Sequence, residues 1–439
     1  MKKDMLLIYN ARLVDRNIDQ KGAVLLNGGK IEGFATNGFV NKILSDNSIP
    51  VFDAKGLTLM PSFIDMHAHF RDPGLTQKED IVTGSMAAAA GGFGTVVLMP
   101  NTSPVVSSLE MAEENNKKAQ EAGYTRVIQS VSITKDFDGK SVEHLDKLSC
   151  KKVPLITEDG KEVMNSYVML EGMIKAAKKN IIVSCHCEDP FLAEQAKPLR
   201  AKALDCLKKG NKKEAAKLLA EANILLELAE DTATVRNIRL AEEAGCHLHL
   251  CHVSTAKCIE EVKRAKERGV NITCEITPHH IGLSGEKAPN IFEIVNPPLR
   301  SNENRLALIK ALKDGTADVI ATDHAPHTQK DKEGGSPGFS GLETAFATCY
   351  TTLVKECGFS LKALSSLMSA RPAELLGLDN NGLLEEGFDA NLVLVDTEEV
   401  WTVRGEEFAS KGKYTPLEGK KLTGQIKATF YKGNIVYQA

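Results

Sequence analysis

The sequence lacks the features typical of membrane, nucleic-acid-binding and secreted proteins. None of its apolar stretches reaches the roughly 18 residues that a membrane-spanning helix needs. The formal net charge is -4 at pH 7, so no basic excess favours nucleic acid or an anionic membrane. The apolar run near the amino terminus ends at Asn10 without the cleavage pattern of a signal peptide. We therefore expect a cytoplasmic protein.

Cysteine spacing likewise gives no sign of disulfides or thiolate metal sites. The ten cysteines are scattered, and none forms a Cys-x-x-Cys pair. Cys185, Cys187 and Cys251 lie in apolar, strand-like segments, where a free thiol packs as a small hydrophobic group. Reduced, buried thiols fit a reducing compartment.

The sequence does contain enough apolar residues for a large core. Of its 439 residues, 42% are hydrophobic and 26% are charged, which are ordinary proportions for a globular protein. A chain of this length can form one large barrel together with a small accessory domain.

Both ends of the chain alternate short β-like segments with turns. Asn27-Gly28-Gly29 is a hairpin signal between two such segments near the amino terminus. The carboxyl-terminal residues have the same character, with Lys432-Gly433-Asn434 as a turn. The simplest interpretation is one small β-sandwich domain to which both ends contribute, residues 1–56 and 379–439.

The central residues 57–378 follow a different pattern. Apolar segments alternate with amphipathic helical segments, and eight such strand–helix units follow one another. This order predicts the α/β class and a (β/α)8 barrel of the TIM type. Residues 190–228 are rich in Ala, Leu, Lys and Glu and predict an additional surface helix–turn–helix, to which we assign no chemistry.

The first barrel strand leads into His67, His69 and Arg71. Residues i and i+2 of an extended chain point to one side, so the two imidazoles are aimed at a common point. Imidazole is a good ligand for zinc and its neighbours. Arg71 adds a planar cation suited to a carboxylate. A lone His-x-His is often two unrelated loop histidines, but here matching partners follow downstream.

Polar side chains recur after the later strand candidates, at the end of the barrel where active sites are built. They are Asp159, His186, His252 and Asp323, after the fourth, fifth, sixth and eighth strands. Either aspartate alone could be a turn residue or helix cap. Together with the two first-strand histidines, Asp323 can hold one ion, and His186 and His252 a second, with Asp159 as the bridge. Two divalent ions about 3.5–4 Å apart can share a hydroxide and polarise a carbonyl.

With these residues in place, the chain resembles the dihydroorotases of the amidohydrolase superfamily. The segments DMHAHFRDPG, MPNTSP, CHVST, NPPLR and TDHAPH are similar to bacterial dihydroorotase signatures and occur in the same order. The resemblance implies a barrel with a composite β domain and a site with two zinc ions per subunit. The implied activity is reversible cyclisation of N-carbamoyl-L-aspartate to L-dihydroorotate plus water, in pyrimidine biosynthesis.

The resemblance also implies roles for single residues. The family's metal ligands correspond to His67, His69, Asp159, His186, His252 and Asp323. Asp323 also corresponds to the catalytic general acid–base. The family's substrate contacts correspond to His69, Arg71, Asn101, Asn296, His327, Pro337 and Gly338.

Two features depart from the family pattern. Many relatives bridge the metals with a carbamylated lysine, whereas Lys161 here follows only after Asp159 and Gly160, so we expect an aspartate bridge. The helical segment 190–228 differs too, which leaves the oligomer contacts open. The expected partners are a small-molecule substrate, a second copy in a homodimer and aspartate transcarbamoylase. Residues 328–335 either close over substrate or form a plain connection.

Two other functions stay open at this stage. The chain could be another cyclic amidase, such as an allantoinase or hydantoinase, although those substrates lack the free carboxylate that Arg71 would bind. It could also be a non-catalytic scaffold for aspartate transcarbamoylase, but such a protein would be expected to have lost metal ligands.

Overall fold

A computed structural model describes residues 5–285 and 294–439 of the protein. The predicted strand–helix order is present in the centre of the chain. The barrel strands are β6 (Phe63–Ala68), β7 (Phe93–Leu98), β8 (Arg126–Gln129), β9 (Val131–Ser132), β10 (Leu155–Thr157), β11 (Ile182–Cys185), β12 (Leu248–Leu250), β13 (Ile272–Ile276) and β14 (Val319–Ile320).

The barrel strands are parallel and form two hydrogen-bonded sheets, β6-β7-β8 and β14-β13-β12-β11-β10-β9. The two sheets are separated at two places around the barrel. One is Ser130, which lies between β8 and β9, two successive parts of one strand. At the other gap, Ala68 and His324 form a parallel bridge, and the Asp323 amide donates to the His67 carbonyl at 3.0 Å. The strands therefore have one common carboxyl end, although the ladder is not an unbroken cylinder.

Each helix that follows a barrel strand from α2 to α9 begins after a short polar side chain that accepts a backbone N–H, as at Asp80 before α2 and Ser108 before α3. The helices are α1 (Asn37–Asp46), α2 (Ile81–Ala90), α3 (Leu109–Ala122), α4 (Ser166–Ala177), α5 (Pro190–Lys208), α6 (Lys212–Ala244), α7 (Ala256–Glu267), α8 (Pro278–Gly282), α9 (Asn302–Asp314), α10 (Gln329–Glu333), α11 (Leu342–Cys349), α12 (Leu361–Ser365) and α13 (Arg371–Leu375). π-helical turns over Tyr350–Glu356 and Ser366–Ala370 extend α11 and join α12 to α13.

The predicted helix–turn–helix is present as α5 and the first half of α6. α6 is 33 residues long because its first half continues without a break into the barrel helix that precedes β12. α5 and α6 pack together through small side chains, including Ala196 and Ala222, which are fully buried.

Strands from both ends of the chain form one eight-stranded sheet in the order β17-β16-β15-β5-β1-β2-β3, with β4 beside β1. Its strands are β1 (Met5–Val14), β2 (Asp19–Asn27), β3 (Lys30–Phe34), β4 (Val51–Asp53), β5 (Thr58–Pro61), β15 (Leu392–Thr402), β16 (Lys421–Tyr431) and β17 (Asn434–Gln438). Ile31 of β3 and Phe430 of β16 belong to one apolar cluster, so the sheet curls round a single core. Both faces of the predicted sandwich therefore belong to one sheet.

The apolar segment that precedes His67 divides at Ser62. Thr58–Pro61 pairs with β1 and β15 in the terminal sheet, whereas Phe63–Ala68 enters the barrel. The predicted limits at residues 56 and 378 remain a prediction, and β5 lies in the terminal sheet although that division groups it with the barrel. Helix α1, which the sequence reasoning missed, packs Val40 and Ile43 against this sheet.

Within residues 5–285 and 294–439, no helix is both long and apolar enough to cross a membrane. All ten cysteines lie in this part of the chain as free thiols, in agreement with the expected absence of disulfides.

Candidate metal centre and substrate cleft

The six predicted metal-binding side chains converge at the carboxyl ends of the barrel strands. His67 Nε2 lies 3.4 Å from Asp159 Oδ1 and 3.6 Å from Asp323 Oδ1. His69 Nε2 lies 3.1 Å from Asp323 Oδ1 and 3.6 Å from Asp159 Oδ2. Two carboxylates therefore face the same two imidazole nitrogens.

His186 and His252 approach Asp159 as a pair. His186 Nδ1 and His252 Nε2 are 2.9 Å apart, and they lie 3.7 Å and 3.9 Å from Asp159 Oδ1. Burial and the neighbouring His186 and His67 lower the pKa of His252 to about 3, so its imidazole is neutral near pH 7. Asp159 contacts both histidine pairs, which is the arrangement required of a bridging ligand.

This donor set fits divalent cations. His67 Nε2 is buried without a hydrogen-bond partner among the described residues, although it faces two carboxylates. Burial alone would raise the pKa of Asp159, but the adjacent His67, His69 and His186 hold it well below its usual range. Buried anions are retained in proteins when they are paired or bind metal. Ligand atoms of His67, His69 and Asp323 lie within 4.8 Å of one another, as do those of His67, Asp159 and His252.

Glu275, on β13, accepts hydrogen bonds from the histidines of this cluster and was missed by the sequence reasoning. Its Oε1 accepts from His67 Nδ1 at 2.7 Å and from the His252 amide at 3.1 Å. Its Oε2 accepts from His249 Nε2 at 3.1 Å. Burial alone would raise the pKa of Glu275, but His67 and His249 hold it far below its usual range. An acidic residue within the apolar strand Ile272–Ile276 is the signal that could have revealed it.

Asn101 connects two of the predicted ligands. Its Oδ1 accepts from His69 Nδ1 at 2.9 Å, and its Nδ2 donates to Asp159 Oδ2 at 2.9 Å. The bond to Nδ1 leaves the Nε2 lone pair of His69 free to face Asp323. Asn101 therefore orients ligands, and its predicted contact with substrate remains a prediction.

A cleft of about 250 Å³ opens beside the cluster. Five of the six predicted metal ligands line it, all except His67. All seven predicted substrate contacts also line it, namely His69, Arg71, Asn101, Asn296, His327, Pro337 and Gly338.

Arg71 gives this cleft a cationic group. Its Nη2 lies 3.5 Å from His327 Nε2, which donates to the Pro337 carbonyl at 2.8 Å. Arg71 Nε is buried and has no hydrogen-bond partner within the described ranges. Burial, Arg71 and Lys78 lower the pKa of His327 to about 3, so His327 is neutral and Arg71 is the cation of the pair. A planar cation of this kind suits a carboxylate.

The Gly338 backbone forms an edge of the cleft that no other residue type can replace without strain. Its φ is +113°, and an added Cβ would lie 2.7 Å from the Ala325 Cβ. Glycine avoids both the steric clash and the unfavourable conformation.

Asn296 is held from outside the cleft by two charged side chains that the sequence reasoning did not identify. Its Oδ1 accepts from Arg200 Nη1 at 2.9 Å, and its Nδ2 donates to Glu188 Oε2 at 2.6 Å. Arg200 lies on α5, within the segment 190–228 to which no chemistry is assigned from the sequence. The two residues are 96 positions apart, and no local pattern indicates their contact.

Comparison with known proteins places these observations in a family. The amidohydrolase family profile matches residues 58–436. A dihydroorotase of Clostridium botulinum is 42% identical over 434 residues, covering 99% of both chains. A dihydroorotase of Lactobacillus acidophilus is 39% identical over 445 residues, covering 99% of this chain and 98% of the relative.

Solved structures agree on the fold. An L-hydantoinase (dihydropyrimidinase) from Arthrobacter aurescens has a TM-score of 0.86 at 25% identity, covering 99% of this chain and 96% of the other. A D-hydantoinase (dihydropyrimidinase) from Thermus sp. has a TM-score of 0.83 at 24% identity, with the same coverage. The full-length relatives are far more similar in sequence than these structural neighbours are. The chain belongs to the amidohydrolase family and, within it, to the dihydroorotases.

Proposed function

We propose that this enzyme interconverts N-carbamoyl-L-aspartate and L-dihydroorotate plus water in pyrimidine biosynthesis. The relatives named dihydroorotase support this activity. The observation that carries the proposal is the position of Arg71 beside His327 in the cleft that the metal-type cluster lines. Carbamoyl aspartate and dihydroorotate present a free carboxylate to such a cation, whereas hydantoin and allantoin do not.

The proposed cofactor is a pair of zinc ions. When bound, divalent ions polarise a substrate carbonyl and make hydroxide available near neutral pH. The same ligand types accept cobalt or manganese, so elemental analysis of the isolated protein has to identify the metal. The first ion would be held by His67, His69 and Asp323 and the second by His186 and His252, with Asp159 between them.

Asp323 is the proposed general acid–base. Burial alone would raise its pKa, but the adjacent His69 and His67 lower it to about 2. The ionised carboxylate can take the proton of the attacking water and pass it to the ring nitrogen as the amide C–N bond breaks. In synthesis it accepts the proton of the attacking ureido nitrogen and passes it to the departing carboxylate oxygen, which leaves as water after taking a second proton from solvent.

The remaining cleft residues position the substrate. Arg71 and His327 would bind the carboxylate that does not react, and Asn101 would contact it from the side of His69. Asn296 and the Pro337-Gly338 backbone would contact the ring. Holding the substrate at several points places the reacting carbonyl against the cluster, which lowers the entropic part of the barrier.

Substitution of the general acid–base tests the mechanism. We expect Asp323→Ala to lower turnover of dihydroorotate by about 10²–10⁴-fold, the usual contribution of such a group. The matched control is Asp379→Ala, at an exposed position remote from the cleft. Circular dichroism should show the same fold in both. A variant at Asp323 that retains more than about a tenth of wild-type turnover would contradict the assigned role.

Substitution of Arg71 tests the substrate class. We expect Arg71→Met to raise KM for carbamoyl aspartate by roughly 10- to 100-fold, because a hydrogen bond to a charged group is lost. Arg126→Met, at an exposed position where β8 begins, is the control and should leave KM unchanged. An unchanged KM in the Arg71 variant would favour a substrate without a carboxylate.

A direct assay separates the competing functions. Dihydroorotate, hydantoin and allantoin are offered side by side, with and without a chelator. Chelator-sensitive hydrolysis of dihydroorotate alone is the expected result. Preference for hydantoin or allantoin would indicate another cyclic amidase. A protein without bound metal or turnover would instead indicate the scaffold role.

The expected partners and location belong to the same proposal. We infer a homodimer and an association with aspartate transcarbamoylase, in the cytoplasm, where the ten free thiols would stay reduced. Analytical ultracentrifugation of the protein alone and with a transcarbamoylase tests both associations.

A further inference from the structure

The helical insertion places a cation behind one wall of the substrate cleft. Arg200 of α5 is half-buried. Its Nη1 donates to Asn296 Oδ1 at 2.9 Å, and its Nη2 donates to the Val295 carbonyl at 3.4 Å. Glu188 accepts from Asn296 Nδ2 at 2.6 Å. The side-chain amide of Asn296 is therefore bound between a guanidinium and a carboxylate.

These two partners decide which way the amide points. A guanidinium can only donate hydrogen bonds, and an ionised carboxylate can only accept them. A reversed amide would set donor against donor at Arg200 and acceptor against acceptor at Glu188. Asn296 lines the cleft, so the orientation of its amide there is set by two side chains outside the cleft.

The same helix also contacts the neighbouring wall segment. Leu204, one turn after Arg200, lies so close to Gly335 that an added Cβ there would be 2.9 Å from Leu204 Cδ2. Lys332 Nζ then ties this segment to the one before Asn296, since it donates to the carbonyls of Ile294 at 3.1 Å and Gly338 at 2.7 Å. The insertion thus braces both backbone segments, 294–296 and 335–338, that border the cleft.

We propose that Arg200 is a positioning residue for the substrate and acts through Asn296. The oriented amide presents one donor and one acceptor to the cleft, which matches a cyclic amide whose ring N–H and C=O groups are neighbours. This inference rests on the proposed function, because it assumes that Asn296 contacts the substrate ring. It gives the helical insertion a role in substrate specificity.

The test is steady-state kinetics of Arg200→Met. KM rises about tenfold, the effect of losing one hydrogen bond to a charged group. The value of kcat changes less than about threefold, because the group acts on binding and not on the chemical step. Metal content and thermal midpoint stay at the wild-type values. Arg200→Lys restores part of the affinity, since a single donor can still reach Asn296 Oδ1.

Two further variants make the result specific. Lys197→Met removes a charge from an exposed position of the same helix and leaves KM unchanged. Glu188→Gln weakens the hydrogen bond that Asn296 Nδ2 donates and raises KM several-fold. This variant still tests the inference if Arg200→Met does not fold.

A double-mutant cycle tests whether Arg200 acts through Asn296. In an Asn296→Ala background, Arg200→Met causes no further rise in KM. Equal rises in both backgrounds would overturn the inference, as would an unchanged KM in the single variant. Loss of metal or of kcat without a change in KM would also overturn it, since that result indicates a purely structural role.

The choice of substrate distinguishes a failure of this inference from a failure of the proposed function. KM is measured on whichever of dihydroorotate, hydantoin or dihydrouracil the wild type hydrolyses. A wild type active only on hydantoin or dihydrouracil overturns the proposed function. The double-mutant cycle then still tests whether Arg200 acts through Asn296. A wild type inert on all three overturns both.

Discussion

At the scale of single residues, hydrogen bonds behind the cluster determine which imidazole nitrogens are free to bind metal. Glu275 accepts from Nδ1 of His67, and Asn101 accepts from Nδ1 of His69. Both histidines therefore present Nε2 with its lone pair toward Asp323. Such partners fix the tautomer and ring orientation of a ligating histidine and increase its basicity.

Removal of the charge behind His67 should weaken metal binding. We expect Glu275→Gln to lower the metal affinity by roughly 10- to 100-fold, because His67 loses an anionic acceptor. The measurement is competition with a chromophoric chelator on metal-stripped protein. Glu260→Gln, at an exposed position on α7, is the control. Equal affinity in the two variants would mean that Glu275 only packs beside the site.

At the scale of secondary structure, the segment after His327 forms the short helix α10, which hydrogen bonds hold in place. Thr328 and Asp331 form a capping box at the start of α10. Lys332 is fully buried, and its Nζ donates to the carbonyls of Ile294, Ser336 and Gly338. These contacts favour a fixed wall of the cleft over a lid that closes on substrate.

Loss of this lysine should loosen the wall. We expect Lys332→Met to lower the free energy of unfolding by about 2 kcal/mol, since buried carbonyl oxygens lose their donors. KM should rise as well, because the Gly338 edge moves. Lys330→Met, exposed on the same helix, should change neither quantity. Urea denaturation and limited proteolysis within residues 328–338 provide the measurements, and a variant as resistant as wild type would argue that the wall has other supports.

At the scale of the whole molecule, the terminal sheet and the barrel are joined by buried contacts. Glu343 of α11 accepts from the amides of Ala409 and Ser410, at 3.0 Å and 3.2 Å. Thr429 of β16 donates to the carbonyl of Ala89 at the end of α2, at 2.7 Å. The carboxyl-terminal part of the chain therefore stabilises the helices that surround the barrel.

The buried contacts of Glu343 with Ala409 and Ser410 should make the stability of the protein depend on pH. Burial raises the pKa of Glu343 to about 7, above its usual value of 4.5. The folded state then holds a proton that the unfolded state releases, so this contribution is complete below pH 4.5 and is lost as the pH rises through about 7. The total change is at most about 3 kcal/mol.

The comparison variant is Glu343→Gln, which cannot titrate. The difference in unfolding free energy between wild type and variant should shrink as the pH rises from 5 to 8, measured by urea denaturation at each pH. A difference that is constant over this range would mean that Glu343 is ionised in the folded protein throughout.

Much of the fold and of the candidate site could be predicted because the relevant patterns are local. Apolar segments followed by amphipathic helices are recognisable within a few tens of residues, and polar residues just after a strand lie at one rim. This rule predicts Asp159 and His186 at that rim, and in the structure they lie there 3.7 Å apart. The missed helix α1 has a short, weakly apolar sequence that resembles a connection between strands.

The supporting contacts could not be predicted, since they join residues far apart in sequence. Glu275 and His67 are separated by 208 positions, and Arg200 and Asn296 by 96. Hydrogen bonds of this kind depend on distances and directions that only the packed barrel defines.

The order of strands and helices, the rim positions and the kinds of side chain there follow from the amino-acid sequence, because periodicity and strand ends are properties of neighbouring residues. Tertiary structure alone decided that β5 joins the terminal sheet, that Glu275 orients His67 and that a surface helix reaches Asn296. Each of these depends on how separate elements pack in space, and that packing has no local trace in the chain.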